Sequence, residues 1–211
     1  GQIAAHLNNV GLDVIAFDLD LETAKKGLEA TKSLKPSPFY NIKTADKIKA
    51  ASFDQVELLE DCDWVIEVIA EKLEWKTDLY SKMESHLSEH SIVTSNTSGL
   101  LLKDLTSSMS DSLKKRFFIT HFFNPPRYMK LVEFVTSEDN SKESVAFLEG
   151  FMTNILGKGV VIAKDTPNFI ANRIGTYGMM VCLQEAHKSN LSVEDVDAWT
   201  GVLVGRPKSG T

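Results

Sequence analysis

The stretch Thr120–Val135, THFFNPPRYMKLVEFV, sets two short apolar runs on either side of an Asn-Pro-Pro break. Each run is rich in Phe, Val and Leu and too short for a helix, so each reads as a buried strand. A Pro-Pro turn can fold the second strand back beside the first. That pairing would bring Glu133 close to His121, twelve residues earlier.

Outward from this pair the chain alternates. Upstream, VIAFD, DWVIEVIA (Asp63–Ala70) and SIVTSNTS read as strands, separated by the helical patterns LETAKKGLEATKSL and EKLEWKTDLYSKMESHLS. The polar stretch KPSPFYNIKTADKIKAA holds a loop and a further helix, and LLKDLTSSM is a short helix. Downstream, SKESVAFLEGFMTNILGK is a helix and GVVIAKD the last strand. Strands alternating with helices predict an α/β fold with a doubly wound, mostly parallel sheet.

After Lys164 the strand signal ends. DTPNFIANRIGTYGMMVCLQEAHKSN offers Thr166 as a cap and Pro167 at the first helical position, and SVEDVDAWTGVL is a second helix. The expected domains are therefore 1–164, the α/β unit, and 165–211, the start of an all-helical unit.

Composition narrows the function classes. The chain has 211 residues, 43% hydrophobic and 25% charged, enough for a substantial core. A net charge of -6 argues against nucleic-acid binding. No apolar run reaches the length of a membrane span and no signal segment is evident, so a cytoplasmic protein is expected. Cys62 and Cys182 fit neither a disulfide framework nor a zinc knuckle; reduced thiols and no metal are expected. The exception to the acidic balance is Lys25–Lys49, seven lysines against Glu29 and Asp46.

The first residues, GQIAAHLNNVGLDVIAFDLD, open on a helix with Ile3, Ala4, Leu7 and Val10 on one face. In a dinucleotide-binding unit a glycine fingerprint opens the first crossover helix, and an acid ending the second strand accepts hydrogen bonds from the adenosine ribose. Gly1 fits the last glycine of such a fingerprint and Asp18 the acid, which would repel the 2′-phosphate of NADP and so favour NAD. The strand and phosphate-binding turn would then lie upstream of Gly1. Alternatively, the two are a commonplace glycine and a strand-end aspartate.

At the other end of the strands four polar stretches converge: SNTSG, HFFNPP, LVEF and DTPNFIANR. Ligands of a parallel sheet collect at the carboxyl ends of its strands, where Ser98 and His121 should arrive. Histidine exchanges protons near neutrality, and a carboxylate on its far nitrogen fixes the tautomer. Taken singly, a strand histidine is more often structural, Glu133 could face solvent by alternation, and Ser or Asn after a strand usually makes turns. His6, His86, His90 and His187 read as surface helix residues.

SNTSG, HFFNPPRYMKLVEFV and DTPNFIANR closely resemble the signatures of the L-3-hydroxyacyl-CoA dehydrogenases, and VIEVIAEKLEWK resembles that family's fourth-strand segment. The resemblance runs from Gly1 onward in the family's order. It implies a Rossmann-type NAD domain and a helical domain that mediates dimerisation, giving a homodimer, with an acyl-CoA thioester as substrate. It implies His121 as general base with Glu133 as partner, Ser98 and Asn172 on the substrate, and Asn124 supporting the histidine. Asp18 would hold the adenosine ribose, with Glu71 and Lys76 at the nicotinamide side. Some of Lys32, Lys35, Lys43 and Lys47 would supply positive charge for CoA phosphates, the alternative being a solvated helix pair. Gly99 departs from the serine common after SNTS, and the GRPKS ending resembles members joined to an enoyl-CoA hydratase module.

The reading is NAD-dependent oxidation of an L-3-hydroxyacyl-CoA in fatty-acid β-oxidation. One rival is a catalytically silent relative with a structural or NAD-sensing role. Another is a two-domain dehydrogenase working through a catalytic cysteine or lysine; Cys62 precedes a strand and Cys182 lies mid-helix, so neither fits.

Overall fold

The computed structural model describes residues 1–201, 204 and 205 and falls into two compact units, Gly1–Pro167 and Asn168–Thr211. Of the GRPKS ending, only Gly205 is among the described residues.

The first unit begins with helix α1 (Gln2–Asn9), which ends where Gly11 takes a left-handed φ of 86° and returns its N–H to Asn8 O. Strand β1 (Ile15–Asp18) leads to α2 (Leu21–Lys32), whose first turn is capped by Asp20 accepting from Thr23 N at 2.7 Å. The expected loop and helix after α2 are instead a 3-10 turn at Ile42–Lys47 and a strand, β2 (Lys49–Ser52). KAAS lacks the β-branched and aromatic residues that mark strands, so only its parallel pairing with β1, from Ile15↔Lys49 to Asp18↔Ser52, reveals it.

After a second 3-10 segment come β3 (Trp64–Glu67), α3 (Leu73–Met83) and β4 (Ile92–Ser95). The short helices α4 (Leu102–Leu105) and α5 (Asp111–Lys114) precede β5 (Phe117–Phe122). Strand β6 (Leu131–Val135), α6 (Lys142–Asn154) and β7 (Gly159–Ala163) complete the unit.

These strands form two sheets, β2–β1 and β3–β4–β5–β6–β7. All pairings are parallel except β5 with β6, which the Pro-Pro turn makes antiparallel. The facing edges of β1 and β3 do not pair. A cavity of about 1040 Å³ lies between them, lined by Ile15, Ala16 and Phe17 on one side and Val65, Ile66 and Val68 on the other.

Every residue of β5 is buried, as expected of a strand covered on both faces. Phe118 and Phe122 join Val132 and Phe134 of β6 and Leu148 and Met152 of α6 in one apolar cluster. On the other face Phe117 meets Tyr80 of α3 edge-on, with centroids 5.0 Å apart. Buried threonines are satisfied across strands: Trp64 Nε1 and Thr120 Oγ1 both reach Thr94 Oγ1, at 3.0 and 2.9 Å.

The second unit contains α7 (Ala171–Lys188) and α8 (Val193–Thr200), the latter opened by a reciprocal Ser192–Asp195 capping box. Helix α7 starts later than Thr166 and Pro167 suggest, because Asn168 and Phe169 both take positive φ, 61° and 47°. Ile174, Tyr177 and Leu183 are exposed on α7. No helix among the described residues is long and apolar enough to cross a membrane.

Candidate active site

The turn between β5 and β6 sets the register in which His121 and Glu133 are directly opposite one another. At that spacing two side chains on one face meet. His121 Nδ1 lies 2.7 Å from Glu133 Oε2, with both residues buried at 5% and 1% exposure. Alternation therefore points Glu133 inward, against the bland expectation of a solvent-facing residue. A carboxylate on Nδ1 leaves the lone pair on Nε2, where a base needs it.

The segment after β4 is tied to both neighbouring strands. Asn96 Oδ1 accepts from Phe122 N at 2.9 Å, so the residue after His121 is fixed by the SNTS segment. Asn124, expected to support the histidine, is exposed at the turn, and Asn96 holds the histidine strand from the other side. Ser95 Oγ donates to Glu67 Oε2 at 2.6 Å.

Glu67, at the carboxyl end of β3, is the hub of this edge. Its Oε1 accepts from Ile69 N (2.6 Å) and Lys76 Nζ (2.7 Å), and its Oε2 from Tyr80 Oη (2.6 Å) and Ser95 Oγ. Burial, followed by the adjacent Glu67 charge, pushes the Tyr80 phenol far above its ordinary range and keeps it a donor. Lys76 is 1% exposed; its ammonium also reaches Ile69 O at 3.2 Å and Glu71 Oε2 at 3.6 Å.

Glu71 Oε1 gathers the next loop, accepting from the Thr97 hydroxyl, Ser98 N (2.9 Å) and Gly99 N (3.1 Å). Desolvation works to raise its pKa, but those donors and Lys76 outweigh it and hold the carboxyl below the usual range. Ser98 is thereby presented at the surface. Asp165 ties the DTPN motif to the same region: its two oxygens accept from Leu102 N (2.7 Å) and Lys103 N (3.1 Å) at the start of α4. Asn172 stands in the first turn of α7, in the second unit.

At the cofactor end, a Cβ on Gly1 would come within 1.9 Å of Thr31 Oγ1, which is itself fixed by a 2.7 Å bond to Gly27 O. Only glycine lets α1 approach α2 so closely. Asp18 closes β1, half-buried, with Oδ1 accepting from Leu19 N at 2.8 Å. A tight glycine at a helix start and a strand-end carboxylate fit a dinucleotide, whose pyrophosphate suits a helix N-terminus.

The comparisons agree. A family model described as "3-hydroxyacyl-CoA dehydrogenase, NAD binding domain" matches residues 1–166. The chain belongs to the 3-hydroxyacyl-CoA dehydrogenase family. A probable 3-hydroxyacyl-CoA dehydrogenase of Bacillus subtilis is 44% identical over 231 aligned positions, covering 99% of this chain and 29% of the relative. One from Deinococcus radiodurans is 37% identical, with coverages of 99% and 63%. The crystal structure of (S)-3-hydroxybutyryl-CoA dehydrogenase from Ralstonia eutropha aligns with a TM-score of 0.81 at 25% identity, over 98% of this chain and 74% of that one. The chain thus spans under two thirds of the length of these two curated relatives. NAD is the cofactor of the matched domain, and the expected Rossmann-type fold with a helical second part is borne out.

Several residues escaped sequence reading. Glu67, Asn96 and Arg127 lie inside quoted motifs without standing out in them, and Lys158 carries no local motif of its own. His6, expected at the surface, is 3% exposed because α1 turns that side chain inward; neither ring nitrogen has a hydrogen-bond partner of good geometry among the described residues. Desolvation first, then the Lys158 and Arg127 charges, lower its pKa to about 4. Of the candidate CoA lysines, Lys32 is paired with Glu29 and Asp46, both at 2.9 Å, whereas Lys35, Lys43 and Lys47 are exposed and unpaired among the described residues. Cys62 precedes β3, away from the carboxyl edge, and burial followed by Asp61 and Asp63 raises its thiol pKa, against a nucleophilic role.

Proposed function

We propose that the protein oxidises an L-3-hydroxyacyl-CoA to the 3-ketoacyl-CoA in fatty-acid β-oxidation, with His121 as the general base. The buried His121–Glu133 pair, 2.7 Å apart at the carboxyl edge of the sheet, carries this reading. Alcohol oxidation needs a base for the hydroxyl proton as the carbinol hydride departs. Bound NAD supplies the hydride acceptor.

In this chain His121 Nε2 takes the hydroxyl proton, while Glu133 holds the ring and stabilises the imidazolium that forms. Ser98, presented by the Glu71 collar, orients the substrate oxygen. Asn172 contacts the acyl portion, and Asn124 supports the histidine from the turn. Asp18 accepts from the adenosine ribose, and Gly1 lets the pyrophosphate approach the start of α1. Glu71 and Lys76 stand at the nicotinamide side, where Lys76 acts chiefly by setting Glu71. Lys35, Lys43 and Lys47 offer charge to the CoA phosphates.

Residues 1–164 would be the cofactor domain and 165–211 the beginning of the helical one, with the exposed Ile174, Tyr177 and Leu183 of α7 supporting a homodimer. The cytoplasm is the compartment in which Cys62 and Cys182 would stay free thiols, as they are here. The test is NADH formation by the intact protein with L- and D-3-hydroxyacyl-CoA thioesters of several lengths. Turnover of the L series alone is expected. NAD binding without turnover of any thioester would replace this reading with that of a silent relative.

A further inference from the structure

We propose that Lys158 is a positioning residue of the reaction: by holding the carbonyls of Pro126 and Met129 it fixes the turn through which β5 and β6 deliver His121 and Glu133. The inference rests on the proposed dehydrogenase function and adds to it a residue with no place in the chemistry itself.

Lys158 is 5% exposed, yet it has no carboxylate partner among the described residues. Its ammonium donates instead to the Pro126 carbonyl and, at 3.0 Å, to the Met129 carbonyl, with the Phe122 ring centroid 5.8 Å away. Both carbonyls belong to the link between the histidine strand and the glutamate strand. The other end of the tether is rigid. Lys158 N donates to Met152 O at 2.9 Å, at the close of α6, and Gly159 N donates to Lys130 O at 2.8 Å, where β7 meets β6. Carbonyls are poor compensation for a buried ammonium. His6 of α1, whose pKa the Lys158 and Arg127 charges help to lower, stays neutral and so offers no charge to offset the ammonium. Burial lowers the Lys158 pKa to about 8.

A side chain kept only for stability would be better apolar, because methionine could fill the space without the desolvation penalty. The arrangement is accounted for if the two carbonyls must be held from below so that the His121–Glu133 contact keeps its length. A displacement of an ångström at a catalytic pair can cost up to about 100-fold in rate.

The experiment is a double-mutant cycle in the intact protein with Lys158→Met, Glu133→Gln and the pair. Lys158→Met is expected to melt at or above the wild-type temperature near neutral pH, to bind NAD as wild type does, and to lose roughly 10- to 100-fold in kcat with little change in KM. In the Glu133→Gln background the same substitution should add almost nothing, because both act through one contact. Wild-type kcat in Lys158→Met, or losses that multiply in the double variant, would overturn the proposal. If Lys158→Met does not fold, Lys158→Leu, equally without a donor, decides the same cycle by the same outcomes. An inactive wild type would refute the dehydrogenase reading itself, whereas an active wild type with an unimpaired Lys158→Met refutes only the role of Lys158.

Discussion

Replacing Lys76 with methionine should be among the most destabilising single changes in the first unit. The Lys76–Glu67 contact is 2.7 Å, and the two side chains are 1% and 0% exposed. Breaking such a pair from one side costs about 3–5 kcal/mol, because the remaining charge is left buried. Here Ile69 N, Tyr80 Oη and Ser95 Oγ still donate to Glu67 after the ammonium is gone. The cost should therefore sit near the low end, about 3 kcal/mol, out of a typical total of roughly 5–15 kcal/mol. For a unit of this size that is a fall of roughly 6–12 °C in melting temperature. Adding Glu67→Gln removes the orphaned charge and should restore part of the loss, on the order of 1–2 kcal/mol. Urea and thermal unfolding of the four forms measure this directly. A loss below about 1 kcal/mol for Lys76→Met, the range of an exposed pair, would refute the reasoning.

Three further outcomes are expected. His6 is held neutral at about pKa 4 against an ordinary 6.5. The unfolded chain therefore binds a proton that the native state refuses, and stability is present above about pH 6.5 and lost as pH falls towards 4. The loss approaches about 3 kcal/mol, and unfolding of His6→Phe between pH 7 and 4 should lack that slope. Phe118→Ala, in the cluster of β5, β6 and α6, should cost about 3–5 kcal/mol in urea denaturation while leaving the unfolding single-stepped. Reversing Lys43 and Lys47 to glutamate should raise KM for the acyl-CoA and flatten its salt dependence, with NAD affinity unchanged in a binding titration.

Much of this was legible because the strongest signals are local. The apolar runs of β3 to β7 and the Pro-Pro break announce strands and a turn without any partner, and the break places His121 opposite Glu133. Strand β2 was invisible for the opposite reason, since KAAS becomes a strand only by pairing with β1. The start of α7 was misplaced because Thr166 and Pro167 are good helix openers, while the positive φ of Asn168 and Phe169 is a tertiary choice. Motif residues were easy to single out, but their supports were not. Glu67 and Lys158 act over separations of 9 to 32 residues, through contacts that no sequence window contains. His6 looked like a surface histidine because helical spacing gives a face, not what covers it.

The proposed reaction depends on His121, oriented by Glu133, as its base. Its most direct test is steady-state NADH formation from an L-3-hydroxyacyl-CoA by the intact protein and its His121→Gln form, with NAD affinity measured on both. A loss of roughly 100-fold or more in kcat is expected, at unchanged NAD affinity. A His121→Gln protein that turns over within a few-fold of wild type would contradict it.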